Sequence, residues 1–183
     1  MIRDFVYPEL EKIRVDSEDA FKALNEFTEE FVPEYQSKIE HYQSPRPIFD
    51  LFGVEEEISR ALGRQVNLKS GGYLVIDQTE AMTTVDVNTG GFVGKTNQDE
   101  TVFKTNLEAA GALARQLRLR NLGGIIIVDF IDMVNSEHQR QVFRALNKAL
   151  DKDRAKTSVS EFSSLGLVEL TRKRTQDSLE HTL

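Results

Sequence analysis

Cysteine and tryptophan are absent from this 183-residue chain, while histidine, methionine and proline are scarce, at three, three and four residues. Without cysteine there is no disulfide framework, no thiolate metal site and no thiol nucleophile, which agrees with a reducing, cytoplasmic compartment. No apolar run approaches the roughly 20 residues needed to cross a bilayer, so no membrane segment is expected. All four prolines (Pro8, Pro33, Pro45 and Pro47) lie in the first part of the chain, and nothing after them carries the ring that interrupts helices and strand ladders. A basic excess, the usual footprint of a nucleic-acid partner, is also missing: the net charge is −7. That deficit is local, because residues 1–62 hold 15 acidic against 7 basic side chains and residues 63–183 hold 15 against 16.

What is present centres on residues 72–133. Met82 to Val87 is rich in β-branched residues and leads into Asp86-Val87-Asn88, and Ile125 to Val128 is an apolar run that closes on Asp129. Between them Val102, Phe103, Leu107, Ala110, Leu113, Ala114 and Leu117 recur at helical spacing. Strand, helix and strand predict a crossover between parallel strands, which would bring Asp86 and Asp129 out at the same carboxyl edge of a sheet. Two carboxylates meeting there repel one another unless protonated or bridged, and magnesium or manganese suits an oxygen-only ligand set. Asn88 follows Asp86 by two residues, so it shares a strand face with it and can orient substrate or water. Asp132 stands near enough to act as an outer partner. Against this, a single Asp at a strand end is often only a turn or helix cap.

Upstream, Ser17 is placed to cap a helix whose apolar face is Ala20, Phe21, Leu24, Phe27 and Phe31. A strand is expected over 37–42, a helix over 54–62, and strands over 65–68 and 73–76. The reading is therefore α/β, with mixed sheets, flanking helices and two closely packed subdomains, divided at 1–69 and 70–183.

The glycine-rich loop after Asn88 lacks the Lys-Ser/Thr of a P-loop, yet offers Phe92 for base stacking and Lys95 for a phosphate. Arg115, Arg118 and Arg120 suit the negative end of the long helix. Ser136 to Gln139 matches a capping box, which makes His138 a helix-start residue rather than a catalytic base. Lys152, Arg154, Lys156 and Arg172 to Arg174 gather basic charge on the last third, where Lys156 and Arg172 are candidates for lining a polyanion groove.

The runs Ile76 to Gly90 (IDQTEAMTTVDVNTG), Ala114 to Met133 (ARQLRLRNLGGIIIVDFIDM) and Gly166 to Arg174 (GLVELTRKR) resemble the catalytic core of the bacterial ribonuclease E/ribonuclease G family, nearest its ribonuclease G branch. The resemblance covers essentially the whole chain. It implies a ribonuclease-H-like supporting subdomain at 1–69 and a deoxyribonuclease-I-like catalytic subdomain at 70–183. It implies magnesium on Asp86 and Asp129, with Asn88 orienting phosphate or water and a basic residue at the place of Lys156 contacting RNA near the metal. The implied reaction is endonucleolytic cleavage of single-stranded RNA, in RNA processing and decay, to leave 5′-phosphate and 3′-hydroxyl ends. Intact family members also carry an S1 domain, a 5′-monophosphate pocket and a Cys-containing zinc link that joins protomers into a homo-oligomer. The zinc ligands are not in this sequence, which is expected to be a segment of a longer protein.

Two further readings stand beside that one. The segment alone can be a structural, RNA-contacting scaffold with little turnover, since the missing domains would supply much of the binding energy. A phosphohydrolase of small molecules could use the same acidic pair, although the basic last third favours a polymer.

Overall fold

Ser17 ends an extended stretch, and its hydroxyl accepts a hydrogen bond from the Ala20 N–H (3.3 Å), so helix α1 (Glu18–Phe31) begins where its cap is found. The computed structural model describes residues 10–91, 98–174 and 176–182. Ahead of α1 lies β1 (Ile13–Val15), which pairs in parallel with β2 (Ile39–His41). The strand expected over 37–42 is shorter than predicted, because Pro33 opens a 3-10 helix that runs to Lys38. Proline has no N–H to leave unpaired in a first turn, and its fixed φ suits one. Helix α2 (Ile48–Phe52) closes on Gly53 at φ +61°, and α3 (Val54–Leu62) follows.

The chain divides into two compact units between Glu57 and Ile58. That is ahead of the boundary at 69/70 expected from the sequence. The reason is pairing: β3 (Gln65–Asn67) lies antiparallel to β4 (Tyr73–Gln78), with Val66 opposite Leu74, so it belongs to the larger sheet.

The second unit completes that sheet with β5 (Met82–Asn88), β6 (Gly124–Asp129), β7 (Thr157–Val159) and β8 (Leu167–Arg172). Helix α4 (Gln98–Leu119) joins β5 to β6, α5 (Ser136–Leu150) joins β6 to β7, and α6 (Leu179–Thr182) ends the described chain. The strand order is β3-β4-β5-β6-β8-β7, and β5–β6 is the parallel pair, as the crossover predicted. The architecture is α/β.

Burial alternates along these strands. Leu74, Ile76, Val85, Val87, Ile126, Val128, Val168 and Leu170 are buried and join one core with Ala110, Leu113, Leu117, Val142 and Leu146 of α4 and α5. Each of the Val, Leu and Ile side chains contributes about 1.5–3 kcal/mol when buried. The opposite strand positions, among them Thr84, Asp86, Ile125 and Asp129, stay exposed. Helix α5 is capped by Asn135 and not by Ser136: the Asn135 Oδ1 accepts from the Glu137 N–H (2.9 Å).

The turn between β3 and β4 is pinned from α4, where the Glu108 carboxylate accepts from the Lys69 N–H and the Ser70 N–H. Gly90, which follows β5, packs against the Gly71 carbonyl at φ +68°, and a Cβ there would collide with that oxygen. Gly90→Ala is therefore expected to cost about 1–3 kcal/mol from left-handed strain and overlap. Urea denaturation measures this, and a loss inside experimental error would show that the loop relaxes freely.

Candidate active site

The parallel register pairs Asp86 directly with Asp129. On β5 the residues Thr83, Val85 and Val87 point into the core, so Thr84, Asp86 and Asn88 share the other face. On β6 the buried Val128 sends Asp129 to that same face. Neighbouring strands lie about 4.8 Å apart, so the two carboxylates stand side by side at the carboxyl edge of the sheet. Neither strand needs a special conformation for this; period-two alternation with Asp in the last positions is enough.

Asn88 turns back along its own strand, and its Nδ2 donates to Asp86 Oδ2 at 2.8 Å. The bond fixes one carboxylate oxygen, and among the described residues the second N–H of the amide has no acceptor. Beyond β6 the chain brings a third acid close. Asp132 packs beside Gly166, where a Cβ would come within 3.3 Å of its Oδ1, and Gly166 itself has φ +78°. Although Asp129 reaches the surface, partial desolvation at the sheet edge raises its carboxyl above the usual carboxylate range, and the negative charges of Asp86 and Asp132 raise it further. Asp86 and Asp129, side by side and with Asp129 reluctant to ionise, are a carboxylate pair of the kind a hard divalent cation relieves, and Asp132 adds negative charge nearby.

Among the described residues, no group of three or more His, Asp or Glu side chains is gathered closely enough to hold a metal ion by itself. Two carboxylates completed by water and a substrate phosphate are the usual arrangement for magnesium, which keeps several waters. The residues present fit that ion.

The other predicted positions separate. Phe92 and Lys95 lie outside the described residues. Lys156 is exposed, but it precedes β7, and Thr157 of β7 pairs with Arg172, which pairs in turn with Gly124 at the start of β6. That is the edge opposite Asp129, about 17 Å away along the strand. The basic segment therefore does not border the carboxylates.

Arg172 does not line a groove. Its side chain is 6% exposed, and it donates from Nε to Asp153 Oδ2 (2.7 Å), from Nη2 to Asp153 Oδ1 (3.2 Å), and from Nη1 to the Leu122 carbonyl (2.9 Å) and Asn121 Oδ1 (3.1 Å). A guanidinium held by so many partners in the interior is a cross-link between the β8 end and two loops. Arg118 donates to the Ala149 carbonyl (3.3 Å), and Arg120 is buried with its Nε on Gln116 Oε1 (2.8 Å), so both serve packing. His138 stacks on Phe103 with centroids 4.1 Å apart, a contact between α5 and α4.

One residue of consequence escaped sequence reading. Asn106 of α4 is fully buried and hydrogen-bonds the backbone of Ile131, two residues past Asp129, through both atoms of its amide. The signal was available: Asn106 interrupts the apolar face between Phe103 and Ala110, where a polar residue needs a partner.

A match to the Ribonuclease E/G family covers residues 1–175. The chain is 66% identical over 183 residues to Ribonuclease G of Escherichia coli (strain K12), covering 100% of this chain and 37% of that protein. It is 58% identical over 183 residues to Ribonuclease G of Haemophilus influenzae, again 100% of this chain and 37% of the relative. A chloroplastic Ribonuclease E/G-like protein of Arabidopsis thaliana is 40% identical over 181 residues, covering 98% of this chain and 18% of that protein. The chain thus spans little more than a third of the length of the ribonuclease G relatives.

Proposed function

Because the chain belongs to the ribonuclease E/G family, we propose that its six-stranded unit forms the active site of a magnesium-dependent endoribonuclease that cleaves single-stranded RNA to 5′-phosphate and 3′-hydroxyl ends in the cytoplasm. The observation that carries this reading is the in-register pairing of Asp86 with Asp129 on adjacent parallel strands. The relatives named as ribonucleases supply the substrate class.

In this reading Asp86 and Asp129 hold the cation, with manganese able to replace magnesium. When bound, the ion offsets negative charge on the scissile phosphate and eases ionisation of an attacking water. Asn88 keeps the Asp86 carboxylate in one orientation through its 2.8 Å hydrogen bond, and its second N–H would donate to a phosphate oxygen. No side-chain nucleophile is required. Asp132 adds negative potential at the same edge and strengthens the hold on a cation. Among the described residues no helix is long and apolar enough to cross a membrane.

The test is cleavage of a labelled single-stranded RNA by the full-length parent protein, with and without EDTA and then with magnesium restored. Cleavage that survives chelation would overturn the proposed chemistry.

Lys156 enters the proposal as a backbone contact remote from the reacting phosphate. Lys156→Ala in the parent protein is expected to lower the salt slope of single-stranded RNA binding by about 0.7, the value for one lost phosphate contact. A slope equal to that of the unsubstituted protein would remove Lys156 from the RNA path.

A further inference from the structure

Strand β6 ends at Asp129, and the chain that follows, Phe130 to Met133, runs on without a strand partner; Phe130 and Met133 are buried (3% and 9% exposed), Ile131 is half-buried and Asp132 is exposed. Backbone groups in such a segment must be satisfied by something other than a ladder, since each buried polar group left unpaired costs about 1–3 kcal/mol. Asn106 of α4 meets that need at one peptide position. Its Nδ2 donates to the Ile131 carbonyl (2.8 Å), and its Oδ1 accepts from the Ile131 N–H (3.1 Å). The side-chain amide thus imitates a neighbouring strand residue, exchanging both hydrogen bonds with one partner. A second tie comes from α5, where Gln139 Nε2 donates to the Met133 carbonyl (2.9 Å).

The place of this clamp is informative. Throughout β6 the backbone is already set by β5 on one side and β8 on the other. The Asn106 clamp acts only beyond that pairing, on Ile131, one of the two residues between Asp129 and Asp132. An aliphatic side chain at 106 would suit the apolar face of α4 and avoid the desolvation of an amide. What it would not do is choose the direction in which the chain leaves the sheet. Two hydrogen bonds to one residue fix the orientation of the peptides on either side of it, and so the course of the chain leaving Asp129 and the approach of Asp132 to the Asp86–Asp129 pair.

We propose that Asn106 is a positioning residue for the carboxylate site: by clamping Ile131 it holds the chain just past Asp129, and with it Asp132, in the arrangement in which the Asp86–Asp129 pair shares one divalent cation. The proposal rests on the reading of Asp86 and Asp129 as the cation-holding pair in RNA cleavage. Asn106 touches neither substrate nor cation. Its effect passes through the backbone, as that of outer partners of metal ligands does, where substitution commonly costs 10- to 100-fold in metal affinity or activity.

The experiment compares the full-length parent protein with its Asn106→Ala variant, measuring the magnesium concentration for half-maximal cleavage, kcat, and KM for a labelled single-stranded RNA. The expected result is a rise of about tenfold or more in the magnesium requirement and a matching fall in kcat, with KM for RNA changed little. Asn106→Ser, smaller and retaining one hydroxyl that can meet one of the two Ile131 groups, is expected to fall between the two and supplies the same readouts should the alanine variant not fold. A lowered melting temperature with unchanged magnesium requirement and kcat would make Asn106 a structural residue and overturn the proposal. Asp129→Asn, assayed in parallel, separates the two levels. If it abolishes cleavage while the Asn106 variants keep ordinary magnesium dependence, only the positioning role fails. If Asp129→Asn cleaves normally, the carboxylate site fails and the positioning role with it.

Discussion

Asp129→Asn in the full-length parent protein is expected to reduce RNA cleavage by about a thousandfold or more, since the charge stabilisation supplied at a metal site is worth several kcal/mol and each tenfold in rate is 1.36 kcal/mol. The same substitution is expected to stabilise the metal-free protein at neutral pH. Partial desolvation and the neighbouring Asp86 and Asp132 charges raise the Asp129 carboxyl in the folded state. The folded protein therefore holds this proton more firmly than the unfolded chain does, and stability falls as pH rises from the unfolded value of about 3.9 through the raised folded value. Asparagine removes that loss. The gain in melting temperature should be full above the folded pKa, shrink as pH drops through it, and vanish below the unfolded value. Saturating magnesium should reverse the order, because only the original protein gains stability by binding the ion. Melting curves with and without magnesium at several pH values decide the matter. A metal-free variant that melts below the original protein at neutral pH would mark Asp129 as a structural cap.

The second large effect is on stability alone. Arg172→Ala should cost about 3–5 kcal/mol, the range for breaking a buried ion pair by removing one partner. Asp153 has 3% of its side chain exposed, and without the guanidinium its charge would be stranded beside the unpaired Leu122 carbonyl. Burial opposes ionisation of Asp153, but hydrogen bonds from the Arg172 side chain and the Ala155 N–H, with the Arg172 and Arg118 charges, hold its carboxyl below the usual range. The stabilisation from this pair is thus present above the unfolded carboxylate pKa and lost as pH falls through the lower folded one. Native stability is commonly only 5–15 kcal/mol, so the variant should be poorly soluble at 37 °C. Urea unfolding measures the loss, and a change under about 1 kcal/mol would show that the cross-link is dispensable. Replacing Arg172 and Asp153 together with apolar residues of similar volume should recover part of the loss, because no charge then remains buried alone.

The two substitutions act at opposite edges of one sheet. At the edge where β5 and β6 end, acidic side chains stand at the surface with mutual repulsion left in place, which costs stability. At the other edge, charge is neutralised internally by Arg172 and Asp153. An open α/β sheet commonly places its ligand beyond the carboxyl ends of its parallel strands, and here the β5–β6 pair supplies that edge.

Much of this was legible in the residue order. Met82 to Asn88 and Ile125 to Asp129 carry their strand character in β-branched composition, and α4 announces itself by apolar spacing, because both patterns are imposed by local backbone geometry. The convergence of Asp86 and Asp129 followed from the same information, since a helix joining two strands makes them parallel and parallel strands end together. Ser17 likewise had only to cap the residues beside it. Tertiary structure alone decided the rest. Insertion of β8 between β6 and β7 turned the basic segment away from the carboxylates and buried Arg172 against an Asp nineteen positions away in the chain. The pairing of β3 with β4 moved the unit boundary, and the contact of Asn106 with Ile131, twenty-five residues on, made an interruption in a helix stripe into a clamp. Periodicity reports which side of an element is buried and not what it is buried against; strand order and the partners of buried polar groups are set by burial and hydrogen bonding summed over distant segments, and those exist only once the chain has folded.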